Sequence, residues 1–143
     1  MTSISKKIYF ASDQHFGAPT PELSFPREQK FVAWLDEVKK DAEAIFLLGD
    51  LFDFWFEYKT VVPKGFVRVL GKLAEIRDSG IPIYFFVGNH DLWMNDYFEK
   101  ELNIPVFHDN QEYTFHGKTF LVGHGDGKGP GDLGYKRMKK VFT

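Results

Sequence analysis

The chain contains no cysteine, so disulfide bonds are excluded, and a metal site would need ligands from histidine, aspartate, glutamate or asparagine. No apolar run approaches the roughly 18 residues needed to cross a bilayer, and residues 1–7 lack the apolar segment of a signal peptide. Basic residues are not in excess: the formal net charge is −2, whereas nucleic-acid binding normally needs a strong basic excess, although a local basic patch stays open. These absences predict a cytoplasmic protein with no nucleic-acid partner.

What the chain does contain is enough apolar material for a core. Its 143 residues are 43% hydrophobic, which predicts a single domain over residues 1–143. Aromatic residues reach 17%, and some of them follow polar motifs directly instead of lying within apolar strands. Two such aromatic groups are Phe52, Phe54, Trp55, Phe56 and Tyr58, and then Leu92, Trp93, Met94, Tyr97 and Phe98. About half of these residues are expected in the core, and the others are candidates for an apolar wall, with Trp55 and Trp93 as substrate contacts.

The order of apolar patterns predicts an α/β fold. Short β-prone runs at residues 7–12, 44–48 and 83–87 alternate with helical stripes at residues 27–40 and 65–77, and a proline-rich loop is expected over residues 19–26. A short helix over 93–102, a short strand over 105–107 and a hairpin of 112–115 with 118–122 follow. The predicted architecture is β-α-β-α-β with right-handed crossovers, then antiparallel strands, giving a sandwich with mixed sheets.

The C-terminal residues read as an interrupted domain. A glycine-rich loop over residues 123–134 leads into a basic helical stretch, 135–142, which stops at Thr143 without a cap or a following strand. We therefore expect the sequence to be a fragment of a longer protein. Lys128 in the loop is a candidate phosphate contact. The basic residues Lys136, Arg137, Lys139 and Lys140 either form a solvated helix face or contact anionic lipid headgroups.

Four polar clusters each follow an apolar strand. They are Asp13-Gln14-His15, Gly49-Asp50, Gly88-Asn89-His90-Asp91 and Gly123-His124-Gly125-Asp126. Each alone has an ordinary explanation, because Asp-x-His occurs by chance, Gly-Asp is a common turn and a single histidine is usually not a ligand. In open α/β sheets, however, ligands bind beyond the carboxyl ends of the strands, where all four clusters lie. Carboxylates, amide oxygens and imidazoles suit Mn, Zn or Fe, so the set predicts a metal site.

These motifs resemble the first blocks of the calcineurin-like metallophosphoesterases, over residues 8–124. The resemblance rests on Asp13-x-His15, Gly49-Asp50-x-x-Asp53, Gly88-Asn89-His90-Asp91 and Gly123-His124. It implies two divalent metal ions, Mn²⁺ first with Zn²⁺ or Fe²⁺ as alternatives. Asp13 and His15 would bind one ion, Asn89 and His124 the other, and Asp50 both. Asn89 and His90 would act on the phosphoryl group, and Asp53 and Asp91 would orient the ligands.

Closer details resemble the branch of this family that hydrolyses UDP-2,3-diacylglucosamine in lipid A biosynthesis. They are the run from Gly49 to Trp55, the run from Gly88 to Trp93, and His124-Gly125-Asp126. This resemblance implies a nucleotide-sugar lipid as substrate, with the enzyme at the inner face of the bacterial inner membrane. The chain departs from the branch at His90, where arginine is usual. It also lacks the late Gly-His-x-His motif of the family, which agrees with the expectation of a missing C-terminal segment.

Two alternatives remain open at this stage. One is a calcineurin-like phosphodiesterase or phosphatase that acts on another phosphate ester. The other is a non-catalytic protein-binding scaffold on the same fold, which would have no need of all five predicted ligands.

Overall fold

The computed structural model describes residues 6–124 of the chain. Three helices and six strands lie in this range. In chain order they are β1 (Lys7–Ala11), α1 (Pro21–Val38), β2 (Ala42–Leu47), α2 (Val67–Asp78), β3 (Ile83–Phe86), α3 (Tyr97–Leu102), β4 (Val106–Phe107), β5 (Gln111–Phe115) and β6 (Lys118–Val122). None of the helices in this range is both long and apolar enough to cross a membrane.

The main sheet has four parallel strands in the order β1-β2-β3-β4. The strands follow one another across the sheet in chain order, so each lies next to the one before it. Because right-handed crossovers then put the connecting helices on one face, α1 and α2 lie side by side and contact each other. The carboxyl ends of the strands share one edge of the sheet, which positions the loops that follow them.

Alternate residues of the central strand β2 pack against different layers. Ile45 and Leu47 belong to the core shared with the helices, whereas Phe46 faces the opposite side. There the hairpin of β5 and β6 covers the sheet, with Tyr113 and Phe115 packed edge-on against Phe46 at 4.9 and 5.8 Å between ring centroids. The predicted α/β class is therefore confirmed. The hairpin forms a two-stranded antiparallel sheet of its own.

Helix α1 begins at Pro21, six residues before the predicted start, so the expectation of a loop through residue 26 is wrong. Thr20 caps the helix, since its hydroxyl accepts the backbone N–H of Leu23 at 3.2 Å. Proline is favourable in the first turn, where its missing N–H has no helical partner. The first turns also bring Ser24 into position to accept the N–H of Gly17 at 2.7 Å, which ties the helix to the loop after β1.

The start of α2 is capped from another helix. Phe66 precedes α2 with a left-handed φ of 59° and provides no side-chain cap. The buried carboxylate of Glu28, on α1, instead accepts the N–H of Val69 at 3.2 Å. An acidic group at a helix N-terminus satisfies a free N–H and complements the helix dipole.

Replacing this remote cap should destabilise the fold. We expect Glu28→Ala to lower the free energy of unfolding by about 1–2 kcal/mol, because a buried N–H loses its acceptor. Glu28→Gln, which keeps an acceptor oxygen, should lose less. Glu37→Ala is the matched control, since its ion pair with Lys40 is exposed. Denaturant unfolding checks the order, and equal losses for Glu28→Ala and Glu37→Ala would contradict the capping role.

Candidate metal centre

The loops after β1 and β2 stay paired beyond the ends of the strands. The N–H of Asp13 donates to the carbonyl of Gly49 at 3.0 Å, and the N–H of His15 donates to that of Asp50 at 2.9 Å. Both loops therefore leave the sheet together. The loop after β3 and His124, which follows β6, reach the same edge, so the structure brings the first three predicted clusters together there with His124 of the fourth.

Three of the predicted ligands have a strained backbone conformation. Asp13, His15 and Asp50 adopt left-handed φ angles of 62°, 50° and 53°. This conformation is uncommon for residues with a Cβ, and it costs free energy that the surrounding structure must supply. The same conformation occurs in turns away from the site, at Lys59, Phe66, Asn103 and His116, so at the ligands it shows only that their side-chain directions are held against a local cost.

Two glycines allow the loops to approach each other closely. Gly49 has a φ of 93°, and a Cβ there would lie 2.6 Å from Nδ1 of His124. A Cβ on Gly88 would overlap the Asp50 carboxylate and lie 2.6 Å from the Asp50 backbone nitrogen. Both glycines are therefore needed for this geometry.

The carboxylate of Asp50 lies at the centre of the site and is only 3% exposed. Its Oδ2 is 3.7 Å from Nε2 of His15 and 3.4 Å from Nε2 of His124, and Nε2 of His15 is 3.6 Å from Oδ1 of Asp13. Ligands bound about 2.1 Å from a common metal ion are roughly 3–3.5 Å apart. The Asp13, His15 and Asp50 group has the donor types for a divalent ion, and its distances of 3.6 and 3.7 Å would close by a few tenths of an ångström around one.

The hydrogen bonding of His124 also fits a metal ligand. Its Nδ1 lies 2.6 Å from the carbonyl of Leu48, and since a carbonyl only accepts, Nδ1 must donate. The other nitrogen, Nε2, then faces the Asp50 carboxylate, which requires a proton or a cation between them. Metal-binding histidines characteristically donate their second N–H to a backbone carbonyl in this way.

Asn89 also faces the Asp50 carboxylate. With its nitrogen turned toward Asp50, the Asn89 amide donates to Oδ2 at 2.9 Å and to Oδ1 at 3.3 Å. With its oxygen turned the same way, two acceptors face each other, and only a cation between them satisfies both. The second orientation is the one a metal ion would select.

The charge on Asp50 is favoured despite burial. Burial acts to raise the pKa of Asp50. Hydrogen bonds from His124 and from the backbone N–H of His90, 2.9 Å from Oδ1, act to lower it, and their combined effect is larger. The net result is a pKa below the ordinary carboxyl value. Asp50 is thus an anion at neutral pH, as a metal ligand must be.

Asp53 joins two of the histidines. Its Oδ1 lies 3.4 Å from Nδ1 of His15 and 3.5 Å from Nδ1 of His90, and these three residues form a second group with metal-binding spacing. The Asp53 carbonyl accepts from Nδ1 of His90 at 2.8 Å. The rings of His15 and His90 meet edge to face at 4.7 Å. Asp53 therefore sets the direction of both imidazoles.

Asp91 lies behind the site and has no exposed surface. Its carboxylate accepts the N–H of Gly88 at 2.7 Å, of Asp50 at 3.2 Å and of Leu51 at 3.0 Å. Burial raises the pKa of Asp91 to about 6, since these hydrogen bonds offset only part of the desolvation. The side chain joins the backbones of the loops after β2 and β3.

The aromatic residues that follow Asp50 are partly buried in the core and partly exposed. Trp55 is fully buried in the core against Phe52 and Phe98, so the prediction that it contacts substrate is wrong. Its indole N–H donates to Glu57 at 2.9 Å. Phe54, Phe56 and Tyr58 are exposed, and the ring of the half-buried Trp93 lies 5.8 Å from that of Phe54. These four residues are called the aromatic face below.

Lys128, Asp126 and the basic stretch 135–142 lie outside the described residues.

One contact at the site was not predicted from sequence. Arg27, on α1, donates through Nη2 to the carbonyls of His15 at 2.9 Å and Gln14 at 3.3 Å. It thereby holds the strained loop after β1. No spacing in the sequence relates Arg27 to this loop, so the contact could not be predicted.

Comparisons with known proteins agree with this geometry. The sequence profile described as calcineurin-like phosphoesterase matches residues 6–140. A UDP-2,3-diacylglucosamine hydrolase of Porphyromonas gingivalis is 47% identical over 136 residues, covering 95% of this chain and 50% of the relative. One from Haemophilus influenzae is 33% identical, covering 94% of this chain and 55% of the relative. The chain thus spans about half the length of these curated relatives.

A solved structure supports the fold. A protein of unknown function from Aquifex aeolicus superposes with a TM-score of 0.58 at 21% identity, covering 94% of this chain and 68% of that one. Family membership implies divalent metal ions, and the described residues contain groups that fit them. The profile match over most of the chain, with carboxylate and imidazole groups gathered at one sheet edge, shows that this chain belongs to the calcineurin-like phosphoesterase family.

Proposed function

We propose that the protein is a metal-dependent hydrolase that cleaves the pyrophosphate of UDP-2,3-diacylglucosamine to UMP and an acylated glucosamine 1-phosphate. The convergence of Asp13, His15, Asn89 and His124 on Asp50 carries the proposal of a metal-dependent phosphoesterase. The 47% identity to a hydrolase of that name supports the substrate. Because such a substrate carries acyl chains, the protein would meet it at a membrane surface.

Two divalent ions, Mn²⁺ first among the candidates, would bind at this edge. Asp13 and His15 would hold one ion, Asn89 and His124 the other, with Asp50 shared. When bound, such ions polarise the phosphoryl oxygens and lower the pKa of bound water toward neutrality. Asp53 would hold the His15 ring in place, and Asp91 would keep the loops that carry Asp50 and Asn89 together.

His90 is proposed to give a proton to the leaving oxygen. Because its Nδ1 donates to the Asp53 carbonyl, Nε2 is the nitrogen left to face a substrate. Its side chain is 42% exposed, so it is accessible from solvent. Asn89 would direct its amide toward the phosphoryl group. A histidine at this position suits general acid catalysis, since an imidazole nitrogen can donate a proton to a leaving oxygen within hydrogen-bond reach.

The aromatic face is proposed to receive the acyl chains. Phe54 and Tyr58 are each 59% exposed, which is unusual for large apolar side chains beside a polar site. A neighbouring cavity of about 250 Å³ has a mixed lining, the apolar Phe56, Leu92, Trp93 and Met94 and the polar Glu57, Asn95 and His108. Each acyl CH₂ buried here would contribute about 0.8 kcal/mol, so burying three to four of them would favour the acylated substrate by roughly 100-fold.

The proposal is tested by comparing substrates in the presence of Mn²⁺. We expect UMP release from UDP-2,3-diacylglucosamine with a kcat/KM about 100-fold above that for UDP-N-acetylglucosamine, which lacks the long acyl chains. EDTA should abolish the reaction, and Mn²⁺ should restore it. Bis(p-nitrophenyl) phosphate serves as the general phosphodiester control.

Two outcomes would point elsewhere. Equal rates on acylated and unacylated substrates would indicate a different phosphate ester. A titration that detects no Mn²⁺ binding would indicate a protein-binding scaffold on the same fold.

A further inference from the structure

A cavity of about 380 Å³ opens beside the metal centre, on the α1 side of the loop after β1. It is lined by Asp13, Gln14, Phe16, Arg27, Lys30 and Phe31. We propose that this cavity is an anion subsite that binds the phosphate next to the one attacked. The inference rests on the proposed function, and it makes the site selective for pyrophosphate diesters over single phosphodiesters.

The position of the cavity links it to the reaction centre. Asp13 lines the cavity and also belongs to the Asp13, His15 and Asp50 metal-binding group. If these three residues hold the phosphoryl group that is attacked, the next phosphate of the substrate lies close to the cavity, because Asp13 borders both. On α1, residues 27, 30 and 31 share one helix face, so Arg27, Lys30 and Phe31 point to the same side.

Arg27 is a fixed positive charge at this position. Its Nη2 alone makes the hydrogen bonds to the carbonyls of Gln14 and His15. No carboxylate of the described residues lies within ion-pair distance of Arg27. The guanidinium is thus anchored without being neutralised, and its remaining N–H groups suit an oxyanion.

Lys30 is a second cation without a counter-ion. Across residues 6–124 it makes no hydrogen bond and no ion pair. The lysines near the other end of α1 differ, because Lys39 pairs with Asp36 and Glu75, and Lys40 pairs with Glu37. Only Asp13 carries a negative charge among the lining residues, so the cavity has a net positive charge before metal binds.

The floor of the cavity is rigid and apolar. Phe16 is 1% exposed and Phe31 is 8% exposed, and their rings meet edge to face at 5.5 Å. Phe31 also stacks on Trp34 at 5.4 Å. This apolar floor closes one side of the cavity to water, while Arg27 and Lys30 themselves are exposed.

Lys30→Gln tests the subsite in the whole protein loaded with Mn²⁺. We expect the KM for a UDP-sugar pyrophosphate to rise about 10-fold with kcat within about 2-fold, as for loss of one charged contact. Hydrolysis of bis(p-nitrophenyl) phosphate should not change. Lys40→Gln is the matched control, because it removes the same charge at the opposite edge of the sheet.

A binding measurement separates the subsite from the reaction. By calorimetry with Mn²⁺ present, the unmodified protein should bind UDP about 10-fold more tightly than UMP, and Lys30→Gln should remove that preference. An unchanged UDP preference, or equal loss of both nucleotides, would overturn the subsite. A Lys30-dependent UDP preference without any UDP-sugar hydrolysis would instead refute the proposed reaction and leave the subsite standing.

Discussion

Replacing Asp50 with asparagine is expected to lower kcat/KM for metal-dependent hydrolysis by at least about 1,000-fold. Among residues 6–124, Asp50 is the one carboxylate that faces all three of His15, His124 and Asn89, so its charge would hold both ions. Metal ions contribute several kcal/mol of transition-state stabilisation, and about 4 kcal/mol corresponds to that factor. Steady-state hydrolysis by the whole protein, with Mn²⁺ varied, measures the loss.

Asparagine is the informative substitution because it preserves the local geometry. It tolerates the left-handed φ of 53° better than alanine would, and its oxygen can still accept the His90 N–H. Asp78→Asn, on the exposed end of α2, is the matched control for loss of one carboxylate. Near-normal turnover by a folded Asp50→Asn protein, with unaltered Mn²⁺ binding, would refute the shared-ligand role.

Asp91→Ala is expected to lower the free energy of unfolding by about 3 kcal/mol or more. The substitution leaves three buried N–H groups, of Gly88, Asp50 and Leu51, without their acceptor, and each such loss costs about 1–3 kcal/mol. Removing a buried carboxylate also relieves its desolvation, which the raised pKa reflects, and this offsets part of the loss. The unsatisfied donors should outweigh that relief.

Denaturant unfolding of the metal-free protein measures this effect without a contribution from metal binding. Asp91→Asn should lose less than alanine, because its single oxygen still accepts from Gly88 and Asp50. Asp96→Ala, which removes an exposed pair with Lys100, should change stability by less than about 1 kcal/mol. A similar small change for Asp91→Ala would show that Asp91 does not hold the two loops together.

The strands were predictable because their signal is local. Runs such as Ile83–Phe86 are continuously apolar, as strands buried on both faces must be, and polar residues follow them at once. The predicted strand over residues 105–107 is present as β4, but it pairs in parallel with β3 and extends the main sheet. Antiparallel strands begin only with the hairpin. Pairing direction depends on where the chain returns to the sheet, which a two-residue strand does not encode.

The helix starts were less predictable because they depend on capping groups, which the hydrophobic pattern does not reveal. Prolines at positions 21 and 26 read as a loop, yet Thr20 and the packing of Ser24 begin α1 at Pro21. The short helix expected from residue 93 begins at Tyr97. For α2, the capping acceptor is Glu28, which lies 41 residues from Val69 in sequence. A remote cap leaves no local pattern.

The sequence alone determined which chemistry is available. Asp13, His15, Asp50 and Asn89 follow strands of the parallel sheet, which must end at a common edge, so they indicate metal ligands there. His124 follows the antiparallel strand β6, and it reaches the same edge because the hairpin packs against the sheet. Tertiary structure decided what each neighbouring group does. It buries Trp55, exposes Phe54, places Asp91 behind two loops and turns Arg27 toward the His15 carbonyl. These roles depend on distances between residues remote in sequence, and only the packing of helices against the sheet sets them.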